Sequence, residues 1–430
     1  MSVFFPGARL AQPAAAAPRQ PRLRRLAAAC TLALVALHAP IAFAALSFTE
    51  AVDLARQVSP ALRAQQAATA GAQAAEPAAA ALPDPRLSVG VENLPVTGMD
   101  RWKLTRDFMT MQRVGVMQEM PNRAKREART QLAQARTERE RSLAAVAELQ
   151  ARREAMRAWL AVHYAEQRLG LLEDFRRENR LLLQTLPARI AAGGAQPTDL
   201  TMARQETLAL DDRQDEFQRD VAKARATLRR LVGPRADEPL AGEPPALTVR
   251  AEAVREALHR HVELQPFEAM AAMARAEIGE AESEKRGDWS WEVAYARRPR
   301  YDDMVSFQLS FDLPLRQGQR QEPQVASKRR ELERVEAERE DTARRHGEEV
   351  EMQLAELQAL DAQAQRLRTD GQRLAAERVS LVTTAYQAGR SDLGAVLAAR
   401  AAALEQRLRT LSLDAERVDL RVRLNTLTAE

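Results

Sequence analysis

One cysteine, Cys30, occurs in this chain of 430 residues. It lies inside the apolar run Leu26 to Leu37, which follows Arg22, Arg24 and Arg25 and precedes Ala42-Phe43-Ala44. A basic segment, an apolar stretch and a small-x-small site, in that order, make residues 1–44 a secretory signal peptide. The run is too short for a transmembrane anchor, which needs about 20 residues. A lipoprotein acceptor would follow the apolar core, whereas here the core follows Cys30. Cleavage after Ala44 would leave a protein without cysteine, suited to an oxidising compartment but with no disulfide framework.

The chain also lacks a real excess of positive charge. Its net charge of +4 includes five arginines within residues 1–44, so the remainder carries 59 basic and 60 acidic side chains. That balance removes the electrostatic footprint of a nucleic-acid partner. Beyond residue 44 no stretch has the length and apolarity of a transmembrane helix. Any crossing of a membrane must therefore be made by a β-barrel.

Catalytic motifs are missing as well. No nucleophile–base arrangement, glycine-rich phosphate loop or HExxH site occurs. His259 and His261 are two residues apart, which puts them on different faces of a helix, so they make a poor metal pair and read as solvated. His163 and His346 stand isolated in the sequence. Paired carboxylates sit on charged helices, where they are solvated or joined to bases four residues away. Neither an enzyme nor a cofactor is expected.

What the chain does have is an internal repeat. Residues 45–233 and 249–430 each read helix, strand, strand, long helix, turn, helix, with the Pro/Gly-rich linker 234–248 between them. Val114–Met120 before Pro121 matches Phe307–Leu313 before Pro314, and Asp199 matches Asp392, both at an offset of 193 residues. Leu54, Val58 and Val89 match Leu258, Val262 and Val293 at an offset of 204. The 11-residue difference falls between the two strands, where insertion marks an exposed loop.

The helices are rich in Ala, Arg, Glu, Gln and Leu, all good helix formers. Leu360, Leu367, Leu374 and Leu381 recur every seven residues, as do Leu397, Leu404, Leu411 and Val418, the spacing of coiled-coil packing. The run Asn122 to Ala192 is about 70 residues, or roughly 105 Å of helix. Phe48 to Leu82 and Thr198 to Val232 are about half that length each, so a long helix is expected to pack against two shorter ones.

Four strands are predicted, at about 86–93, 111–120, 289–297 and 304–313. Leu87, Val89 and Val91 alternate with polar or small residues, as do Val114 and Val116, Trp289 to Tyr295, and Phe307 to Leu313. The alternation fits an outer-membrane barrel and a half-buried soluble sheet equally. Four strands cannot close a barrel, and hydrocarbon does not tolerate open edges. Three copies would supply twelve.

Taken together, Leu46-Ser47-Phe48-Thr49-Glu50-Ala51, the segment Pro83-Asp84-Pro85-Arg86-Leu87-Ser88-Val89-Gly90-Val91-Glu92-Asn93 and the two Gly…Asp-Leu turns resemble the TolC family. Within it they resemble the channel subunits of heavy-metal efflux systems. The resemblance implies a mainly α fold with a small β part: a long antiparallel α-helical barrel in the periplasm on a transmembrane β-barrel of four strands per chain, twelve per homotrimer. It implies an outer-membrane location and two partners, a periplasmic membrane-fusion adaptor and an inner-membrane resistance–nodulation–division pump. The role would be a passive exit duct, for metal cations or, in a channel of the same fold, for drugs or secreted polypeptide. A periplasmic coiled-coil scaffold without a pore is the competing reading.

Three groups of residues are candidates. Gly193, Gly194, Gly389, Arg390 and Ser391 form tip turns that would dock the adaptor, the first loosened by its paired glycines and Pro197. Asp199 and Asp392 follow those turns. They either cap helix amides or form a ring of six carboxylates in a trimer. Met99, Met109, Met111, Met117 and Met120 offer soft thioethers, or simply fill space.

Overall fold

The computed structural model describes residues 45–428. The signal-peptide assignment, with Cys30 and Ala42-Phe43-Ala44, lies outside the described residues. The chain runs β1 (Leu46–Ser47), α1 (Phe48–Val58), α2 (Pro60–Ala80), β2 (Arg86–Glu92), β3 (Met111–Met120), α3 (Arg123–Ala191) and α4 (Pro197–Val232). A 3-10 turn (Gly233–Asp237) and β4 (Leu240–Ala241) follow. Next come α5 (Ala251–Ala257), two 3-10 turns (Leu258–Arg260 and Val262–Leu264), α6 (Gln265–Ser283), β5 (Trp289–Arg297) and β6 (Met304–Phe311). Last are α7 (Gln321–Arg366), a π turn (Leu367–Gly371), α8 (Gln372–Gln387) and α9 (Leu393–Thr428). The fold is mainly helical with a small sheet.

The helix α3 has 69 residues, about 104 Å at the α-helical rise. Asn122 caps its start, the side-chain Oδ1 accepting the Lys125 N–H at 2.9 Å. α3 packs along α2, α4 and α6, and α9 packs against α3, α7 and α8. The half-length helices are less continuous than Phe48 to Leu82 suggested. The first breaks at Ser59, whose ψ of 116° is extended. Pro60 disfavours the helical conformation of the residue before it, and the Ser59 hydroxyl then accepts the Leu62 N–H at 3.3 Å to start α2. The matching helix of the second half is interrupted between α5 and α6.

The heptad stripe is also only partly packed. Leu360 is buried, yet Leu374 and Leu381 are exposed. The π turn at 367–371 lies between them; one extra residue per turn rotates the following face away from the seam.

The largest core cluster joins both ends of the described chain. Leu46, Ala51, Trp159, Leu228, Ala236 and Val422 are buried together. Trp159 is wholly buried and its Nε1–H donates to the Leu46 carbonyl at 3.0 Å. β1 pairs in parallel with β4, Leu46 opposite Leu240. Arg225 further fastens the 234–248 stretch by donating to the carbonyls of Ala236 and Glu238 at 2.6 and 2.8 Å.

The other sheet has four strands in the order β2-β3-β5-β6, antiparallel throughout. It brings together two hairpins that are far apart in sequence. Where the sheet meets the helices, Asp288 Oδ1 accepts the Asn122 backbone N–H at 2.8 Å and Asp288 Oδ2 accepts Lys125 Nζ at 2.9 Å. Beside it, Gly287 lies against the end of β6. A Cβ at Gly287 would stand 1.8 Å from the Asp312 carbonyl oxygen, which is backbone and cannot swing aside. Gly287→Ala is therefore expected to cost about 3 kcal/mol or more, borne locally by the sheet. Far-UV circular dichroism should keep its helical amplitude while sheet formation fails or melts at lower temperature; unchanged melting would refute the close approach.

Candidate functional site

The sheet has two unlike faces. Val89, Val114, Tyr295 and Val305 lie side by side across the four strands, and Leu87, Val116, Val293 and Phe307 form the next row. All eight are exposed. Trp291 with Leu309, and Trp289 with Phe311, extend the band. The opposite face is mostly polar or small, with Met111, Met117 and Met304 as its large apolar members. Ser88, Gly115, Ala294 and Ser306 share one row. Arg113 donates to Glu92 at 2.6 Å and to Glu292 at 3.0 Å. Alternation with period two produces this division, because successive side chains point to opposite faces. The outer edges of β2 and β6 have no partner strand among the described residues.

The turns after α3 and α8 close in the same way. Gly193 and Gly389 have φ of 73° and 68°, a conformation that costs glycine nothing. Gly193 N–H donates to the Ile190 carbonyl at 3.0 Å and Gly194 N–H to Arg189 at 2.8 Å. Gly389 N–H donates to Tyr386 at 3.1 Å and Arg390 N–H to Ala385 at 2.8 Å. Both are Schellman closures. The first turn is thus no looser than the second at this point, and Gly194 holds the place that Arg390 holds.

The two aspartates differ. Asp392 is exposed, and its Oδ1 accepts the Ala395 N–H at 2.7 Å at the start of α9. Asp199 is only 6% exposed and sits inside the first turn of α4. Its Oδ2 accepts the Gln196 N–H at 3.1 Å and the Tyr386 hydroxyl at 3.0 Å. Burial, then the bond to Asp199, pushes the Tyr386 phenol up from its ordinary value, so it stays a neutral donor. The Arg189 guanidinium lies 4.7 Å from the Tyr386 ring centre and donates to the Gly194 carbonyl at 3.2 Å. Beneath these groups Leu186, Ala203, Leu393 and Val396 are buried together. The α3–α4 tip is thereby bolted to the α8–α9 tip. Tyr386 and Arg189 were not among the residues singled out from sequence; Tyr386 lies 187 positions from its aspartate partner.

The methionines are not gathered. Met99 and Met109 are exposed in the loop between β2 and β3. Met111 and Met117 share the polar face of β3, roughly 20 Å apart at the strand rise. Met120 lies on the opposite face, paired with Trp289.

Two histidine readings need correction. His261 is not solvated: it is 3% exposed and packs edge-on against His346, ring centres 5.3 Å apart. His346 is isolated only in sequence. The turn before α6 carries His261 onto α7, a juxtaposition that helical spacing cannot disclose. His163 stacks on Trp159 at 5.3 Å, and burial pulls its pKa down. His259 is exposed.

Neither a family model nor a curated protein matches the sequence. Solved structures do match the fold. A membrane protein from Pseudomonas aeruginosa superposes with a TM-score of 0.77 at 18% identity, over 89% of this chain and 90% of that one. CusC, described with transmembrane channel formation, gives 0.73 at 15% identity over 89% and 92%. The outer membrane protein VceC from Vibrio cholerae gives 0.72 at 18% over 89% and 96%. The chain has the TolC-like outer-membrane channel fold. Its α3–α4 and α8–α9 tips are held by the Tyr386–Asp199 bond. Tyr386→Phe removes a hydrogen bond to a carboxylate, about 1.5–3 kcal/mol. Backbone hydrogen exchange should quicken by tenfold or more in residues 196–203 and 382–390 and stay unchanged in the sheet. Unchanged exchange at the tips would show that the apolar cluster alone holds them.

Proposed function

We propose that the chain is the outer-membrane exit duct of a tripartite efflux system, passively carrying metal cations outward as a homotrimer. The observation that carries this reading is the continuous apolar band across all four strands, exposed and backed by a polar face. A water-soluble sheet of this size would cover such a band with its own helices. Lipid covers it without protein, provided that the edges of β2 and β6 are paired. Pairing β6 of one copy with β2 of the next, three times over, makes a closed ring of twelve strands. The helices would then stand as a periplasmic tunnel, with the Gly193 and Gly389 turns at the far end. There they would meet an adaptor and, through it, an energised inner-membrane pump of the resistance–nodulation–division kind. The role calls for no catalysis and no cofactor: a duct needs shape, lining charge and a gate.

The metal cargo rests on the resemblance of the segment Pro83 to Asn93 to heavy-metal efflux channels. No helix among the described residues is long and apolar enough to cross a membrane, and a barrel does not require one. Mature protein extracted from outer membranes should run as a trimer in native mass measurement and convert to monomer on heating. A protein that leaves the membrane without detergent, or a stable detergent-bound monomer, would favour a periplasmic scaffold.

Of the two aspartates, Asp392 is the exposed one and the better candidate for lining the mouth. Asp392→Asn keeps an oxygen for the Ala395 N–H and, in a trimer, removes three charges from one opening. Cation preference in planar-bilayer conductance should fall, with trimer yield unchanged. Equal selectivity would leave Asp392 as a helix cap.

A further inference from the structure

We propose that His261, Glu263 and His346 form a binding site for a divalent transition-metal cation of borderline character, with Zn(II) as the type, between the turn before α6 and the middle of α7. Each residue offers one ligand atom, and the three atoms lie within 4.8 Å of one another. His346 Nε2 and Glu263 Oε2 are 3.2 Å apart. Two ligands each about 2.0–2.1 Å from a tetrahedral Zn(II) stand roughly 3.3 Å apart, so this pair already has the spacing of a coordination edge. His261 lies within the same 4.8 Å limit and is the ligand that must close in.

The independent observation is an unmet demand. His261 is 3% exposed, and neither of its ring nitrogens has a hydrogen-bond partner; nor has Nδ1 of His346. Buried polar atoms are nearly always paired, and a neutral His261 buried here leaves one lone pair and one N–H unused. A cation takes up the His261 lone pair and meets His346 through Nε2, the nitrogen that already faces Glu263.

The surroundings fit a three-ligand site. Arg153 Nη2 donates to Glu263 Oε1 at 3.1 Å, which fixes the carboxylate and leaves Oε2 turned toward His346. Such an outer partner orients a ligand and costs affinity when lost. Glu349, with Gln353 donating to it at 2.7 Å, adds a second carboxylate beside the cluster, so that two carboxylates stand against the two arginines, Arg153 and Arg423. A cavity of about 40 Å³ beside Glu263 and His346, which Glu349, Gln353, Arg153 and Arg423 also line, leaves room for one water as a fourth ligand. Two nitrogens and a carboxylate oxygen suit Zn(II), Co(II) or Ni(II) better than Mg(II), which prefers oxygen alone. The site lies in the helical body, apart from the sheet and the tips, and does not depend on the cargo proposed for the duct.

The test uses the full mature chain in detergent, stripped of metal by a chelator and titrated with Co(II). One equivalent per chain should give the visible d–d bands of a four- or five-coordinate site, displaced by Zn(II) and unaffected by Mg(II). Calorimetry with Zn(II) should give the same stoichiometry, and Glu263→Gln and His346→Gln should each weaken binding on the order of 100-fold. His259→Gln, altering an exposed histidine, should change nothing. Faint six-coordinate bands, the absence of saturable binding at one equivalent, or equal affinity in both ligand variants would overturn the site and leave a buried water bridging the two rings. A variant that does not fold leaves the decision to the Co(II) spectrum of the unaltered protein.

Discussion

The length of α3 is the constraint to which the rest conforms. A helix of 69 residues has side chains to bury along roughly 104 Å, and no other single helix of the described chain is as long. α2, α4 and α6 divide that task, while α7, α8 and α9 build the second wall. The sheet hangs at one end of these helices and the glycine turns close the other. The middle is where chain segments from both halves must meet, and it holds the most complete core. There Trp159 on α3 reaches the Leu46 carbonyl, and the 234–248 stretch is fastened by Arg225. Ion pairs are abundant along the helices, but most have half-exposed partners, and pairs of that kind contribute little each. The order comes from buried small and branched side chains at the centre and from a few buried polar contacts at the ends.

Those contacts show how similar turns can differ in consequence. Gly193 and Gly389 close their helices by the same pair of bonds. Both following helices start four residues after the glycine, at Pro197 and Leu393, but Asp199 stands six residues after Gly193 and Asp392 three after Gly389, so Asp199 lies inside its helix's first turn while Asp392 lies just before α9. Three residues of phase decide whether a carboxylate points into the seam between hairpins or stays at the surface. Asp199 finds Tyr386; Asp392 finds the Ala395 amide of its own helix.

Much of the helical frame is legible in sequence because its causes are local. Long stretches of good helix formers, a capping asparagine at 122 and the glycines after α3, α4 and α8 all act within a turn or two of themselves. The face shared by Leu87, Val116, Val293 and Phe307 follows from period-two alternation, which needs no knowledge of the partner strand. The break at Ser59 was also local, signalled by Pro60, but a proline at a first helical turn leaves the helical pattern around it intact. The π turn before Leu374 has no such marker; seven-residue spacing continues through it although the packing does not. The Tyr386–Asp199 and His261–His346 contacts are non-local, joining residues 187 and 85 positions apart. Helical spacing compares only neighbours on one element, so it separated His259 from His261 and could say nothing of what either would meet.

Buried polar groups in this chain therefore fall into two kinds. Asp199 is buried and satisfied: two donors reach one of its oxygens, and its presence is explained by the tips it joins. Asn179 is partly so, its amide donating to the Ala203 carbonyl and to Thr207. His261 is buried and unsatisfied at both nitrogens, beside a second imidazole and a carboxylate. Were packing its only role, an apolar side chain of similar size would fill the space without desolvating two polar atoms, each costing about 1–3 kcal/mol when unpaired. A group whose polarity the protein itself does not use points to something outside the protein that does. The carboxylate at 3.2 Å from the neighbouring ring makes that something a cation.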